Sequence, residues 1–129
     1  MELYQFKSVI DHLGKWLQSV DMYSWGEPLL NKSFVKMMRH SATEHDIRTI
    51  TSLHLNNLTD EQVEGFVTSG LDKLIVSVDG ATQEVYEKYR VGGDIEKVFT
   101  NMKRLMEAKK RHNSKVNVVW NFLVMKQNE

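Results

Sequence analysis

A carboxylate stands in the turn Trp25-Gly26-Glu27-Pro28-Leu29-Leu30, directly after the apolar-alternating run Val20-Asp21-Met22-Tyr23. If that run is a strand, Gly26, Glu27 and Pro28 put one acid and several unpaired carbonyls at the strand's C-terminal end, where parallel α/β sheets hold ligands. Further along, Ser77 and Asp79 close the most apolar run of the chain, Leu74-Ile75-Val76-Ser77-Val78. A small hydroxyl there permits close approach of a ligand or satisfies a backbone carbonyl, and Asp79 is placed to cap the helix that follows. Arg90 precedes the break Gly92-Gly93. Its guanidinium suits a two-pronged grip on a carboxylate, or an ion pair with Glu84 or Glu87. Ser52, His54 and Asn56 surround the end of another strand-like run, and Asn121 lies on the last one.

The elements that must carry these residues alternate. Phe6, Val9, Ile10, Leu13 and Leu17 recur at helical spacing and predict a helix over 3–17. Strands are predicted over 19–24, 46–52, 73–78 and 116–124. Helices are predicted from 31 or 32 to 43, from 59 to the stop at Ser69-Gly70, from 82 to 89, and from 94 to about 111. Thr59 and Gln62 have the spacing of a capping box, and Asp94 is a candidate cap. The nearly unbroken apolar run at 74–78 predicts a strand buried on both faces. Strands alternating with helices imply parallel pairing and right-handed crossovers. The fold class is therefore α/β, a parallel four-stranded (β/α) unit. Both an arc of a (β/α) barrel and a doubly wound open sheet fit this pattern.

Composition removes several classes of function. The 129 residues suit one domain, and 17 basic against 17 acidic side chains leave no net charge. A general nucleic-acid binder would carry a basic excess. No apolar run reaches membrane-spanning length and the chain opens with no signal-peptide pattern. Cysteine is absent, which leaves no disulfide framework, thiolate metal site or cysteine nucleophile and points to the cytoplasm. His12, His40, His45 and His112 show no HxxxH or carboxylate pairing of metal-site type and read as surface or capping residues. Lys109-Lys110-Arg111-His112 complements a helix dipole. Trp25 is a candidate wall of the pocket.

In order along the chain, Gly26-Glu27-Pro28-Leu29-Leu30, Ser69-Gly70-Leu71-Asp72, Val76-Ser77-Val78-Asp79-Gly80-Ala81-Thr82 and Tyr89-Arg90-Val91-Gly92-Gly93 resemble the radical S-adenosylmethionine (SAM) superfamily. The run Ala81-Thr82-Gln83-Glu84-Val85-Tyr86-Glu87-Lys88-Tyr89-Arg90 and the pair Asn128-Glu129 look most like the branch that often carries a C-terminal auxiliary-cluster domain. The resemblance covers 6–129. It implies a partial TIM barrel, a 4Fe-4S cluster held by a CxxxCxxC loop, and reductive cleavage of SAM to a 5′-deoxyadenosyl radical that abstracts hydrogen from a peptide or small metabolite.

By the same resemblance, Gly26, Glu27 and Pro28 receive the methionine amino group. Ser77 contacts the cofactor's carboxylate or ribose, and Arg90 holds the methionine carboxylate. Asp79 belongs to the motif of Ser77. By their place at strand ends alone, Ser52, His54 and Asn56 either line the mouth or are loop polar groups, and Asn121 and Leu123 are placed to reach ribose and adenine, with Leu123 fitting the core equally. The CxxxCxxC loop is the departure. Its absence, and a start on a helix, give the expectation of an internal fragment of an oxidoreductase that holds no cluster by itself and pairs as a homodimer through open sheet edges. A cluster-free nucleotide-binding module and a purely structural unit are the other readings. Iron content and cofactor titration separate them.

Overall fold

The computed structural model describes residues 1–126 and 128. Glu129, half of the closing pair singled out above, lies outside the described residues. Four strands form one sheet: β1 (Ser19–Asp21), β2 (Arg48–Leu53), β3 (Lys73–Ser77) and β4 (Asn117–Asn121). All three pairings are parallel, and the spatial order is the chain order. A doubly wound sheet reverses its order at a switch point; these strands never do.

The helices are α1 (Leu3–Leu13), α2 (Phe34–Arg39), α3 (Asp60–Thr68), α4 (Gln83–Tyr89) and α5 (Ile95–Arg111). Local chemistry fixes the starts of α3 and α5 as the sequence predicts. Thr59 and Gln62 close a reciprocal capping box on α3, with 3.2 Å and 3.0 Å hydrogen bonds. Asp94 accepts from the Lys97 backbone N–H at 3.1 Å to cap α5. Thr82, not Asp79, caps α4. None of the helices is long and apolar enough to cross a membrane among the described residues.

The core lies on one face of the sheet. Leu53, Leu74, Val76 and Val116 pack with Phe66 and Val67 of α3 and Val98 and Leu105 of α5. The opposite face carries Ile50, Ser52, Ile75, Ser77, Val119 and Asn121 in register. β3 alternates half-buried and buried residues instead of being buried on both faces, because no element among the described residues covers that second side.

Several predicted boundaries shift. β1 ends at Asp21 instead of reaching 24, and β2 runs Arg48–Leu53 instead of 46–52. α1 ends at Leu13 and gives way to a tight turn at Gly14–Trp16. Only Ile10 on its apolar side is buried, while Val9 and Leu13 are about half exposed. α2 is short and opens into a π turn at His40–Glu44. β4 stops at Asn121, since Asp79 Oδ1 accepts the Leu123 backbone N–H at 3.1 Å and Asn128 turns the segment back.

The π turn docks against α1 through one carboxylate. Asp11 Oδ1 accepts from His40 Nε2 at 2.7 Å and from His45 Nε2 at 2.9 Å. These two hydrogen bonds, the one with His45 first, hold the Asp11 carboxyl below its ordinary value.

Candidate functional site at the strand C-termini

Gly26 takes φ +90°, a left-handed conformation that a side chain would strain. The turn it makes brings Glu27 back over the end of β2. Glu27 Oε1 accepts the Leu29 backbone N–H at 3.3 Å, capping the short turn Pro28–Leu30. Its other oxygen lies 2.7 Å from His54 Nε2. His54 Nδ1 in turn accepts from the backbone and side-chain amides of Asn56, each at 3.3 Å. Those partners assign the tautomer: Nδ1 is the acceptor and Nε2–H donates to Glu27. Asn56 goes on to donate to the Tyr86 hydroxyl at 2.6 Å and accepts the Asp94 N–H at 2.7 Å. One relay of hydrogen bonds therefore runs from the start of α5 to the Glu27 carboxylate.

A cleft of about 170 Å³ opens beside this acid. Gly26, Glu27, Ser52, His54, Ser77 and Arg90 line it. The Ser52 and Ser77 hydroxyls face each other at 3.4 Å, as their alternation on adjacent strands requires. The structure thus gathers Gly26, Glu27, Ser52, Ser77 and Arg90 in one place.

Pro28 lies instead on a larger groove of about 810 Å³ along the open side of β1. Trp25 borders that groove and is fully exposed, so it walls the groove and not the cleft. Asn121 sits next to Ser77 in register but outside the cleft.

Asp79 and Arg90 differ most from their sequence readings. Asp79 is 1% exposed and caps nothing. Its Oδ2 receives Arg90 Nε at 2.9 Å and Nη2 at 2.7 Å, while Oδ1 receives the Leu123 N–H. Arg90 therefore pairs with neither Glu84 nor Glu87. Its Nη1 has no hydrogen-bond partner among the described residues, and the group lies 5.0 Å over the Tyr89 ring. Asn128 donates to the Asp79 carbonyl at 3.0 Å and to the Leu123 carbonyl at 2.8 Å. Its only sequence signal is the family-like closing pair. The Glu27–His54 contact has no sequence signal, because its partners stand 27 positions apart.

Residues 2–127 match the family description "Radical SAM superfamily". The chain belongs to the radical SAM superfamily. Over 103 residues it is 28% identical to an AdoMet-dependent heme synthase of Methanosarcina barkeri, covering 79% of this chain and 29% of that protein. It is 27% identical over 82 residues to a GTP 3′,8-cyclase of Clostridium botulinum, covering 64% of this chain and 26% of the relative. The chain thus spans between a quarter and a third of the length of these radical SAM relatives. Among solved structures, BtrN in complex with AdoMet and 2-DOIA superposes with a TM-score of 0.60 at 21% identity, over 94% of this chain and 44% of that one. At that identity the likeness is one of fold, the α/β arrangement of four parallel strands in one sheet with helices.

Proposed function

We propose that the cleft holds the methionine end of SAM, in an enzyme of radical SAM type to which this chain contributes an arc of the partial barrel. The observation that carries the reading is the meeting of Glu27, Ser52, Ser77 and Arg90 at the C-terminal ends of neighbouring parallel strands. The chemistry of the set suits a zwitterion. Glu27 supplies an anionic acceptor for an ammonium, helped by the carbonyls around Gly26 and Pro28. The two serine hydroxyls and the spare Arg90 Nη1 supply donors for a carboxylate. Asp79 acts behind Arg90 by fixing its guanidinium, and Asn121, one strand over, is the donor and acceptor placed for ribose or adenine.

A cleft of this size falls below the roughly 300–1,000 Å³ that encloses a whole drug-sized ligand, so it suits one end of the cofactor. When bound with a 4Fe-4S cluster, SAM supplies a 5′-deoxyadenosyl radical for hydrogen abstraction from a peptide or small metabolite. None of the 129 residues is a cysteine, so the cluster's thiolates come from outside this chain. The enzyme acts in the cytoplasm and uses no nucleic acid.

The test is SAM calorimetry on cluster-loaded protein containing this segment. Glu27→Gln is expected to weaken binding by roughly 1.5–3 kcal/mol, the worth of a charged hydrogen bond. The 129-residue chain reconstituted alone with iron and sulfide is expected to retain no stoichiometric iron. Unchanged affinity in Glu27→Gln returns the carboxylate to its capping and His54-pairing duties alone.

The same chain in isolation is expected to associate. Among the described residues, β1 and β4 each pair on one side only. Next to the β4 edge, Trp120 and Phe122 are 53% and 40% exposed. Unpaired edges recruit strands, and a two-fold contact would cover both edge and apolar surface. Light scattering after size exclusion is expected to give a dimer mass that rises with concentration; a monomer throughout would show that the edges are blocked.

A further inference from the structure

A second cluster of ligating atoms lies away from the cleft, where α1 meets the π turn. One ring nitrogen of His40, one of His45 and an Asp11 carboxylate oxygen all lie within 4.8 Å of one another, and both Nε2 atoms approach Asp11 Oδ1. We propose that Asp11, His40 and His45 form a binding site for a borderline divalent cation of the Zn²⁺ or Co²⁺ type.

The backbone is built for this convergence. On an α-helix, residues five apart point about 140° away from each other, at 3.6 residues per turn. The wider π turn across His40–Glu44 brings His40 and His45 to one side, and single π turns recur at functional sites. Asp46 follows in a left-handed conformation, φ 53°, which turns the chain into β2. The His45 ring lies against Gly14, where an added Cβ would come within 2.8 Å of His45 Nδ1. The two rings meet edge to face with centroids 5.0 Å apart.

Second, His40 is 4% exposed, and its Nδ1 makes no hydrogen bond among the described residues although Glu44 Oε2 stands 3.2 Å away. A buried imidazole with one nitrogen beside a carboxylate and the other aimed at ligating groups is the usual arrangement of a metal-bound histidine and its supporting acid. Without a cation the Nε2–H of each ring donates to Asp11; on binding, the His40 proton moves to Nδ1, facing Glu44 at 3.2 Å, the His45 proton moves to its Nδ1, and the two Nε2 lone pairs are left for the cation.

The ligand spacing needs only a small adjustment. Bonds of about 2.0–2.1 Å in a tetrahedral site set ligand atoms about 3.3 Å apart. The present N···O separations are 2.7 and 2.9 Å. The Asp11 side chain is 53% exposed and free to withdraw by that difference. Its exposure leaves the fourth position to water. Two imidazoles and one carboxylate without thiolate suit Zn²⁺, Co²⁺ or Ni²⁺ better than Mg²⁺ or Ca²⁺.

The experiment titrates Co²⁺ into chelator-treated 129-residue chain while the visible spectrum is recorded, then displaces it with Zn²⁺. One equivalent is expected to give the intense bands of tetrahedral Co²⁺. Asp11→Asn and His45→Ala, checked for folding by circular dichroism, are expected to lose those bands and bind Zn²⁺ at least about tenfold more weakly, and Glu44→Gln to bind it roughly 10- to 100-fold more weakly. His112→Ala, at a separate histidine–Glu64 pair, keeps the spectrum. Should one substitution unfold the chain, the other still decides. Absence of a saturable one-to-one spectrum in the unmodified chain, or the same spectrum in a folded Asp11→Asn or His45→Ala variant, overturns the proposal.

Discussion

Arg90→Ala is expected to destabilise the fold by about 3 kcal/mol, read as a fall in the urea midpoint at unchanged slope. The cost arises at Asp79. That carboxylate is 2% exposed at its side chain and receives two N–H groups from Arg90. Removing the guanidinium leaves a buried charge with one backbone donor. Breaking a buried pair from one side costs about 3–5 kcal/mol; the lower end applies because Arg90 itself is 29% exposed. In an Asp79→Asn background the same Arg90→Ala change is expected to cost much less, since no charge is then stranded. The carbonyl oxygen of the introduced amide can still accept the Leu123 N–H. If Arg90→Ala unfolds at the wild-type midpoint, the pair is dispensable and the guanidinium is free to serve a ligand alone. A loss of SAM binding in Arg90→Ala is therefore interpretable only beside its stability, which is why Glu27 is the better probe of the cleft.

What the sequence made legible was what local chemistry decides. The capping box at Thr59 and Gln62 and the cap at Asp94 depend on residues three apart. The apolar face of α5 and the alternation of strand with helix follow from periodicity. The open face of β3 was not legible, because Ile75 and Ser77 lack a covering layer that the apolar run alone implies. The ion-pair partner of Arg90 is not legible in the sequence: Glu87, three positions before it, has helical spacing, whereas Asp79, 11 positions earlier, meets it only once β3 and α4 are folded together. The extent of β4 was overstated for a similar reason: alternation continues through Phe122 and Val124, but Asp79 Oδ1 captures the Leu123 N–H. The pairing of His40 with His45 is invisible to α-helical and HxxxH templates, since it needs a π turn. Of the cleft, the residue types and strand-end positions were readable; the partner that holds Glu27 was not, being a loop histidine oriented by Asn56.

Tyr86→Ala is expected to cost about 3–5 kcal/mol, as for other large aromatic truncations in a core. Tyr86 has no exposed surface and is the largest of the fully buried side chains. The chain is shaped around it. A Cβ at Gly80 would stand 2.5 Å from the Tyr86 backbone nitrogen, and one at Gly93 would stand 2.7 Å from the ring. Gly80 and Gly93, which lie against it, have no side chains with which to refill the cavity.

Tyr86→Phe separates ring from hydroxyl. It keeps the volume and removes only the acceptor for Asn56, so a loss of about 0.5–1.5 kcal/mol is expected, together with a changed ring signal of His54 in NMR, since Asn56 orients both. Burial, the largest influence, pushes the Tyr86 phenol above its ordinary value of 10.0. Below that value both folded and unfolded chains keep the proton. Above it the unfolded chain ionises first, so this residue's contribution is lost as pH climbs toward the raised folded value. The alkaline fall in the unfolding midpoint is therefore expected to be shallower in Tyr86→Phe than in the unmodified protein. Equal alkaline profiles would mean that the phenol ionises alike in both states, and an unchanged His54 ring signal would mean that the relay from Asp94 through Asn56 to Glu27 does not depend on it.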